Sequence, residues 1–523
     1  MIRASAHRLF SNQLAINSLK RCYALGVTAE TEPDVIPSDW HSAKPYESIP
    51  GPTPWPIVGN AWRFIGGVDF LKIMKQMHNK YGDVVIMRQL LALGDMTMLF
   101  NIRDIEWLLR NEGAWPIRDG LASSYRYRHV LRKDVFGDTY GLINGQNESW
   151  GTFRTAVNPI MMQPRTTHQY IPQINEIGDE FIELVTKLKS KDANNETPDN
   201  FADELNKWAF ESITAIALDT RLGVLAEKPS AKAEKAVQYI TESFGLIFQL
   251  DFMPAGKLHM KFNTSVWKKF VRNQDYFTDM CLELIEQAQQ RINNNPNYTL
   301  KQEHEKSVFE RLVAKDKKVA MVMTLDMMGA GVDTTAKAVA ATLYFLAKSQ
   351  KSQEALRSEL KRLLPNKNSP ITKQVLDDAK YLRAAIKEAL RLAPIGIGNM
   401  RKMTKPMVLG GYQIPEGTLI SMPNLYLSKV IDKHFSNPQE YIPERWLREV
   451  KTENVNAFVS LPFGFGARSC IGKRMASMEI EVIVAKMVRN FVLEWHHKDM
   501  FFKQGLIYGV ADPLKIKLID LPS

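Results

Sequence analysis

Three cysteines in 523 residues, Cys22, Cys281 and Cys470, are too few and too scattered for a disulfide framework, which fits a reducing compartment. The formal net charge of +11 is spread along the chain with no zinc-finger spacing, RNP-like aromatic motif or basic leucine-zipper region. That pattern excludes nucleic acid and leaves an anionic membrane or an acidic protein as the partner of the charge. The opening stretch MIRASAHRLFSNQLAINSLKRCYALGVTAE has no acidic residue before Glu30. It also lacks the run of about 20 apolar residues that a membrane span needs, because Arg3, His7, Arg8, Asn12 and Asn17 interrupt every candidate. On a helix, Ile2, Ala6, Leu9 and Phe10 make one apolar face beside Arg3 and Arg8, the profile of a mitochondrial presequence over residues 1–30. No repeat at a solenoid period is present, and the only low-complexity tract is the polar linker Ser190–Asn200.

What is present is a composition with 45% hydrophobic residues, enough to bury a large interior and too apolar for disorder. Residues 31–60 read as an extended, proline-rich arm, since Ser48–Asn60 holds four prolines and two glycines. Helical periodicity dominates afterwards, over residues 150–162, 206–218, 233–248, 267–291 and 319–347. Short β-rich stretches lie at 81–89, 95–100, 407–414 and 505–519, and are expected to form a small sheet region at the two ends of the folded chain. The expected fold class is mainly α with small β regions, as one large domain over residues 61–523. The apolar segment Ser243–Met260, broken by Pro254 and Gly256 and followed by Lys261, Lys268 and Lys269, suits either core packing or peripheral contact with a membrane.

The segment Phe463-Gly464-Phe465-Gly466-Ala467-Arg468-Ser469-Cys470-Ile471-Gly472 carries the chemistry. Gly464, Gly466 and Gly472 allow tight turns and close approach to a flat ligand, and their amides and the following helix start stabilise an anionic sulfur. Arg468 is placed to meet a carboxylate. Haem iron accepts an axial Cys thiolate, a ligand that favours O–O cleavage. Taken alone, Cys470 reads as a buried, inert cysteine; the complete Phe, Gly, Arg, Cys, Gly pattern reverses that reading.

This pattern resembles the haem-binding signature FxxGxRxCxG of the cytochrome P-450 family, and further matches in the family's order extend the resemblance from about Ile49 to the C-terminus. Glu388 and Arg391 lie three apart on one helical face, so both can point inward, where Arg445 completes a hydrogen-bonded network. By resemblance these three are the fold's structural triad. Ala330-Gly331-Val332-Asp333-Thr334-Thr335 is poor helix material, and a local opening of the long helix is expected there. The resemblance places that opening above the iron and assigns Asp333 as proton relay and Thr334 as the stabilising alcohol. Trp150 and Arg154, four apart, resemble the family's haem-propionate ligands, joined by Arg401 and Arg468. The cofactor so implied is haem b, with Cys470 on the metal.

Arg383 and Lys387, four apart and off the inward face of Glu388 and Arg391, are expected to be exposed together. Mitochondrial members of the family carry a basic pair at these positions for an acidic [2Fe-2S] ferredoxin, and Lys473 and Arg474 extend the patch. The resemblance thus implies a monooxygenase, an oxidoreductase that acts on paired donors with incorporation of O2. Its electrons come from NADPH through ferredoxin reductase and ferredoxin, on the matrix side of the inner mitochondrial membrane. The chain looks most like insect mitochondrial members that act on foreign compounds, with a lipophilic substrate pocket near residues 125–131, 244–252, 395–399 and 506–510. A steroid-biosynthetic hydroxylase keeps the same motifs. A peroxide isomerase has no need of Asp333 and Thr334, and a non-catalytic haem sensor or lipid carrier has no use for the basic patch.

Overall fold

The computed structural model describes residues 36–522, apart from 57–58, 65–68, 91–92, 297 and 451–454. The expected presequence, with Cys22, lies outside the described residues. The helices read from periodicity are α1 (Asn147–Met161), α2 (Phe201–Leu218), α3 (Ala231–Asp251), α4 (Ser265–Asn293) and α5 (Lys317–Lys348). Each starts earlier than its apolar repeat because the first turn is built from capping chemistry rather than core contacts. At α5, for example, the Asp316 carboxylate accepts from the Val319 N–H at 2.8 Å. Helices α6 (Lys380–Leu392) and α7 (Lys473–Asn490) carry the remaining motifs.

Helix α5 is apolar around its whole circumference, and both it and α2 are buried along nearly their full lengths, as befits core helices. Gly331 lets them cross closely, since a Cβ there would lie 2.8 Å from Ile213 Cγ1. The local opening expected around Gly331 is not formed: α5 is unbroken from Lys317 to Lys348. Packing against α2 uses the glycine, and the helix keeps its ladder.

The strands do not make one sheet region. β1 (Val84–Leu90) and β2 (Gly94–Leu99) pair antiparallel, then β2 runs parallel to β6 (Leu419–Met422), which pairs with β3 (Asn399–Lys402). β4 (Met407–Leu409) and β5 (Tyr412–Ile414) form their own hairpin. The C-terminal stretch supplies two more separate pairs, β7 (Phe491–Glu494) with β10 (Lys517–Asp520) and β8 (Phe502–Gln504) with β9 (Tyr508–Val510). The proline arm lies along β1, where the Ile86 N–H donates to Pro50 O at 3.0 Å. The sheet has its own apolar core, distinct from the helical one. Among the described residues no helix is long and apolar enough to cross a membrane. In the segment after α3, Leu258 and Phe262 stay exposed at 54% and 67% beside Lys257 and Lys261, while Phe248 and Phe252 line an internal cleft.

Candidate active site

Cys470 sits at the end of a loop folded by its glycines. Gly464 and Gly466 hold φ of +72° and +68°, left-handed values that disfavour side chains; Gly472 has φ of −84° and acts instead through its amide. The loop closes through Cys470 N–H to Phe463 O at 2.9 Å and Ser469 N–H to Gly466 O at 3.1 Å. The Cys470 side chain has accessible surface although protein surrounds it, so it faces an enclosed cavity. Burial pushes the thiol up, while the Gly472 amide and the charges of Arg154, Arg118 and Lys473 favour the thiolate.

Around that cavity four guanidiniums converge. Arg468 donates from Nε to Pro116 O at 2.7 Å and from Nη2 to Gln146 Oε1 at 2.8 Å, and lies 3.9 Å from the centroid of the Trp150 ring. Burial, with repulsion from Arg118, Arg401 and Arg154, pushes Arg468 down to about 9. Arg154, 7% exposed, leaves Nε without a hydrogen-bond partner. Arg401 pairs with Glu112 at 2.5 Å. A single carboxylate against four guanidiniums is an unbalanced buried charge, and forked donors facing a cavity suit an anion with two carboxylates. The residues present therefore fit haem b: a sulfur ligand from Cys470 and propionate partners among the arginines.

Arg118 and Glu112 escaped the sequence reading. Arg118 reaches the cavity because Ile117 bridges to Lys402, one residue after Arg401, with Lys402 N–H to Ile117 O at 2.9 Å. No local motif marks it.

On α5, Ala330 and Thr334 keep accessible surface between buried neighbours and so face inward space, and Thr334 Oγ1 donates to Ala330 O at 2.6 Å. Asp333 is 1% exposed, and its Oδ2 accepts from Lys337 Nζ at 2.5 Å. Glu388, wholly buried, accepts from Arg391 Nη2 at 2.7 Å and Nε at 2.8 Å, Arg445 Nε at 2.9 Å, Trp446 Nε1 at 2.9 Å and Ile442 N–H at 3.1 Å. The three residues read from the sequence do meet, with Trp446 added.

The expected joint exposure of Arg383 and Lys387 is only half met. Arg383 is half-buried because its guanidinium caps the helix Lys373–Asp378, donating to Leu376 O and to Asp377 O, the latter at 3.0 Å. Lys387 is exposed, with Nζ 3.9 Å from the Trp446 ring centroid. Arg383, Lys473 and Arg474 nevertheless line one surface cleft, and Arg383 and Lys387 an adjoining one. An apolar cleft of about 280 Å³ takes Phe248, Phe252, Ile397 and Leu506 from three of the expected pocket segments. The fourth, residues 125–131, does not line it. Tyr127 instead anchors that segment by donating to Asp275 Oδ1 at 2.9 Å, and Met74, Met96 and Met98 take the wall.

The Cytochrome P450 family profile matches residues 49–517. The chain is similar to Cytochrome P450 CYP12A2 of Musca domestica, 39% identical over 93% of each chain. It is also similar to two Drosophila melanogaster proteins. Probable cytochrome P450 12a5, mitochondrial, is 36% identical over 95% of this chain and 94% of the relative. Probable cytochrome P450 12b2, mitochondrial, is 37% identical over 92% and 91%. With its thiol loop, arginine-ringed cavity and mainly helical fold, the chain belongs to the cytochrome P450 family and is a haem-thiolate monooxygenase.

Proposed function

We propose that this monooxygenase inserts one oxygen atom of O2 into a neutral, lipophilic small molecule of the foreign-compound type. Its electrons arrive from NADPH through ferredoxin reductase and a [2Fe-2S] ferredoxin, on the matrix side of the inner mitochondrial membrane. The observation that carries the reading is the single cavity faced by Cys470, four guanidiniums and the Thr334 turn of α5. Cys470 is the axial sulfur ligand, while Arg118, Arg154, Arg401 and Arg468 hold the propionates, with Trp150 stacked beneath Arg468. When bound, haem supplies the activation of O2. Asp333 and Thr334 hold and pass protons, and the methionine- and phenylalanine-lined cleft admits apolar molecules while excluding water.

Lys387, Arg383, Lys473 and Arg474 favour an acidic electron donor. The acid-poor first residues and the mitochondrial designation in the names of the two Drosophila relatives support the compartment. The test is the spectrum of the reduced, CO-bound protein. The wild type is expected to show the red-shifted band of thiolate ligation, which Cys470→His removes together with activity. A thiolate-type band in Cys470→Ala overturns the ligand assignment. Turnover with the two-flavin microsomal reductase alone, and none with ferredoxin, overturns the electron route.

A further inference from the structure

Asp333 and Thr334 are adjacent in α5, yet they are tied in opposite directions. Asp333 shares a face with Lys337, one turn on, and accepts from its Nζ at 2.5 Å. Thr334 shares a face with Ala330, one turn back, and donates to its carbonyl at 2.6 Å. Among the described residues no hydrogen bond joins the two side chains. Lys337 stands at a boundary, since its side chain keeps 25% exposure beside an acid that keeps 2%. Its stem crosses β9 at Gly509, where a Cβ would lie 2.5 Å from Lys337 Cδ and 3.0 Å from Cγ and Cε. That crossing exists because residue 509 has no side chain. The other charge acting on Asp333 is Asp203, on the first turn of α2, which repels a carboxylate; burial likewise favours the neutral acid, and Lys337 alone opposes both.

We propose that Lys337 is a positioning residue for the acid, a charge-sensitive tether that holds the Asp333 carboxylate at the solvent edge and lets go of it once it is protonated. This rests on the reading of Asp333 and Thr334 as the proton-passing pair. The tether works because the ammonium attracts only the ionised carboxyl. A proton taken from water beside Lys337 onto Asp333 Oδ2 cancels the ion pair, and the neutral acid is the form its buried site prefers. Freed, Asp333 can turn about its side-chain torsions toward Thr334 and donate to Oγ1 as the Thr334 hydroxyl proton passes to the cavity. The carboxylate left behind is drawn back to Lys337. One proton enters and one leaves, no electron moves, and Lys337 keeps its charge throughout.

The test uses the haem-loaded protein. The infrared carbonyl band of protonated Asp333 is identified by its absence in Asp333→Asn and titrated in the wild type and in Lys337→Met, which keeps an apolar stem over Gly509 but lacks the ammonium. Its midpoint is expected to rise by about 1 pH unit or more in Lys337→Met and to return toward the wild-type value in Lys337→Arg. The solvent isotope effect on product formed per NADPH should change in the methionine variant only. Gly509→Ala, which crowds the stem without touching α5, should move the midpoint in the same direction. An unmoved midpoint in Lys337→Met, or a lowered thermal transition with titration and isotope effect unchanged, overturns the tether. If Asp333→Asn itself leaves product per NADPH unchanged, the relay reading fails and the proposal with it, whatever Lys337→Met does.

Discussion

Replacing Glu388 by Gln removes one charge and almost no volume from a site that is wholly buried. The carboxylate accepts five hydrogen bonds, three on Oε1 and two on Oε2. The best placement of the glutamine keeps its oxygen at the Oε1 position. Its NH2 then faces the Nε–H groups of Arg391 and Trp446, donor against donor. Breaking a buried ion pair from one side costs about 3–5 kcal/mol, because the partner charge stays buried. Arg391 and Arg445, 0% and 9% exposed, are both left without an anion. The stranded Trp446 donor adds about 1–3 kcal/mol. A total of at least about 4 kcal/mol corresponds to a drop on the order of 10 °C in the thermal midpoint, since large chains lose about 2–4 °C per kcal/mol. The assay is loss of far-UV circular dichroism at one scan rate. Glu449→Gln, which breaks the exposed Lys380–Glu449 pair, is the control and should leave the transition where it was. A Glu388→Gln midpoint within about 2 °C of that control refutes the claim that this network holds α6 to the loop after it.

Arg118→Leu should act in opposite directions in the two forms of the protein, raising the thermal midpoint when haem is depleted and speeding haem loss several-fold when it is bound. Parallel losses in both forms would show that the guanidinium is not there for an anion. Thr334→Ala should leave haem content intact and divert NADPH consumption to peroxide, measured as peroxide formed per NADPH; unchanged coupling makes the hydroxyl a helix feature only. Lys387→Glu should weaken reduction by ferredoxin, most at low salt, with a normal thermal transition, whereas Arg383→Glu should also lower that transition because it removes the cap on Lys373–Asp378. Glu479 is buried with Oε1 unpartnered, and burial pushes it up to about 8. Its folded value exceeds its unfolded one, so the fold pays a penalty that is absent at pH 4, grows through the interval and is complete above about pH 8. Glu479→Gln should therefore raise the thermal midpoint at pH 8 relative to wild type and change it little at pH 4; an equal change at both refutes the burial argument.

The chemistry was legible wherever it is written on one short stretch. The run from Phe463 to Cys470 closes on itself, two of its three glycines take the left-handed turns the loop needs, and the spacing of Glu388 and Arg391 places both on the inward face of α6. Helix positions were legible for the same reason, since an amphipathic period is a local property. The tertiary structure decided what depends on competition between elements. Gly331 serves the close crossing of α2 and α5 instead of opening a helix, Arg383 turns to backbone carbonyls, and the β-rich stretches divide among four small sheets. Arg118 joins the cavity only through the bridge from Ile117 to Lys402, and Asp333 faces Lys337 rather than Thr334. A linear pattern states which groups share a face, but a long charged side chain settles on whichever partner and whichever degree of burial the assembled elements offer, and that choice exists only after the chain has folded.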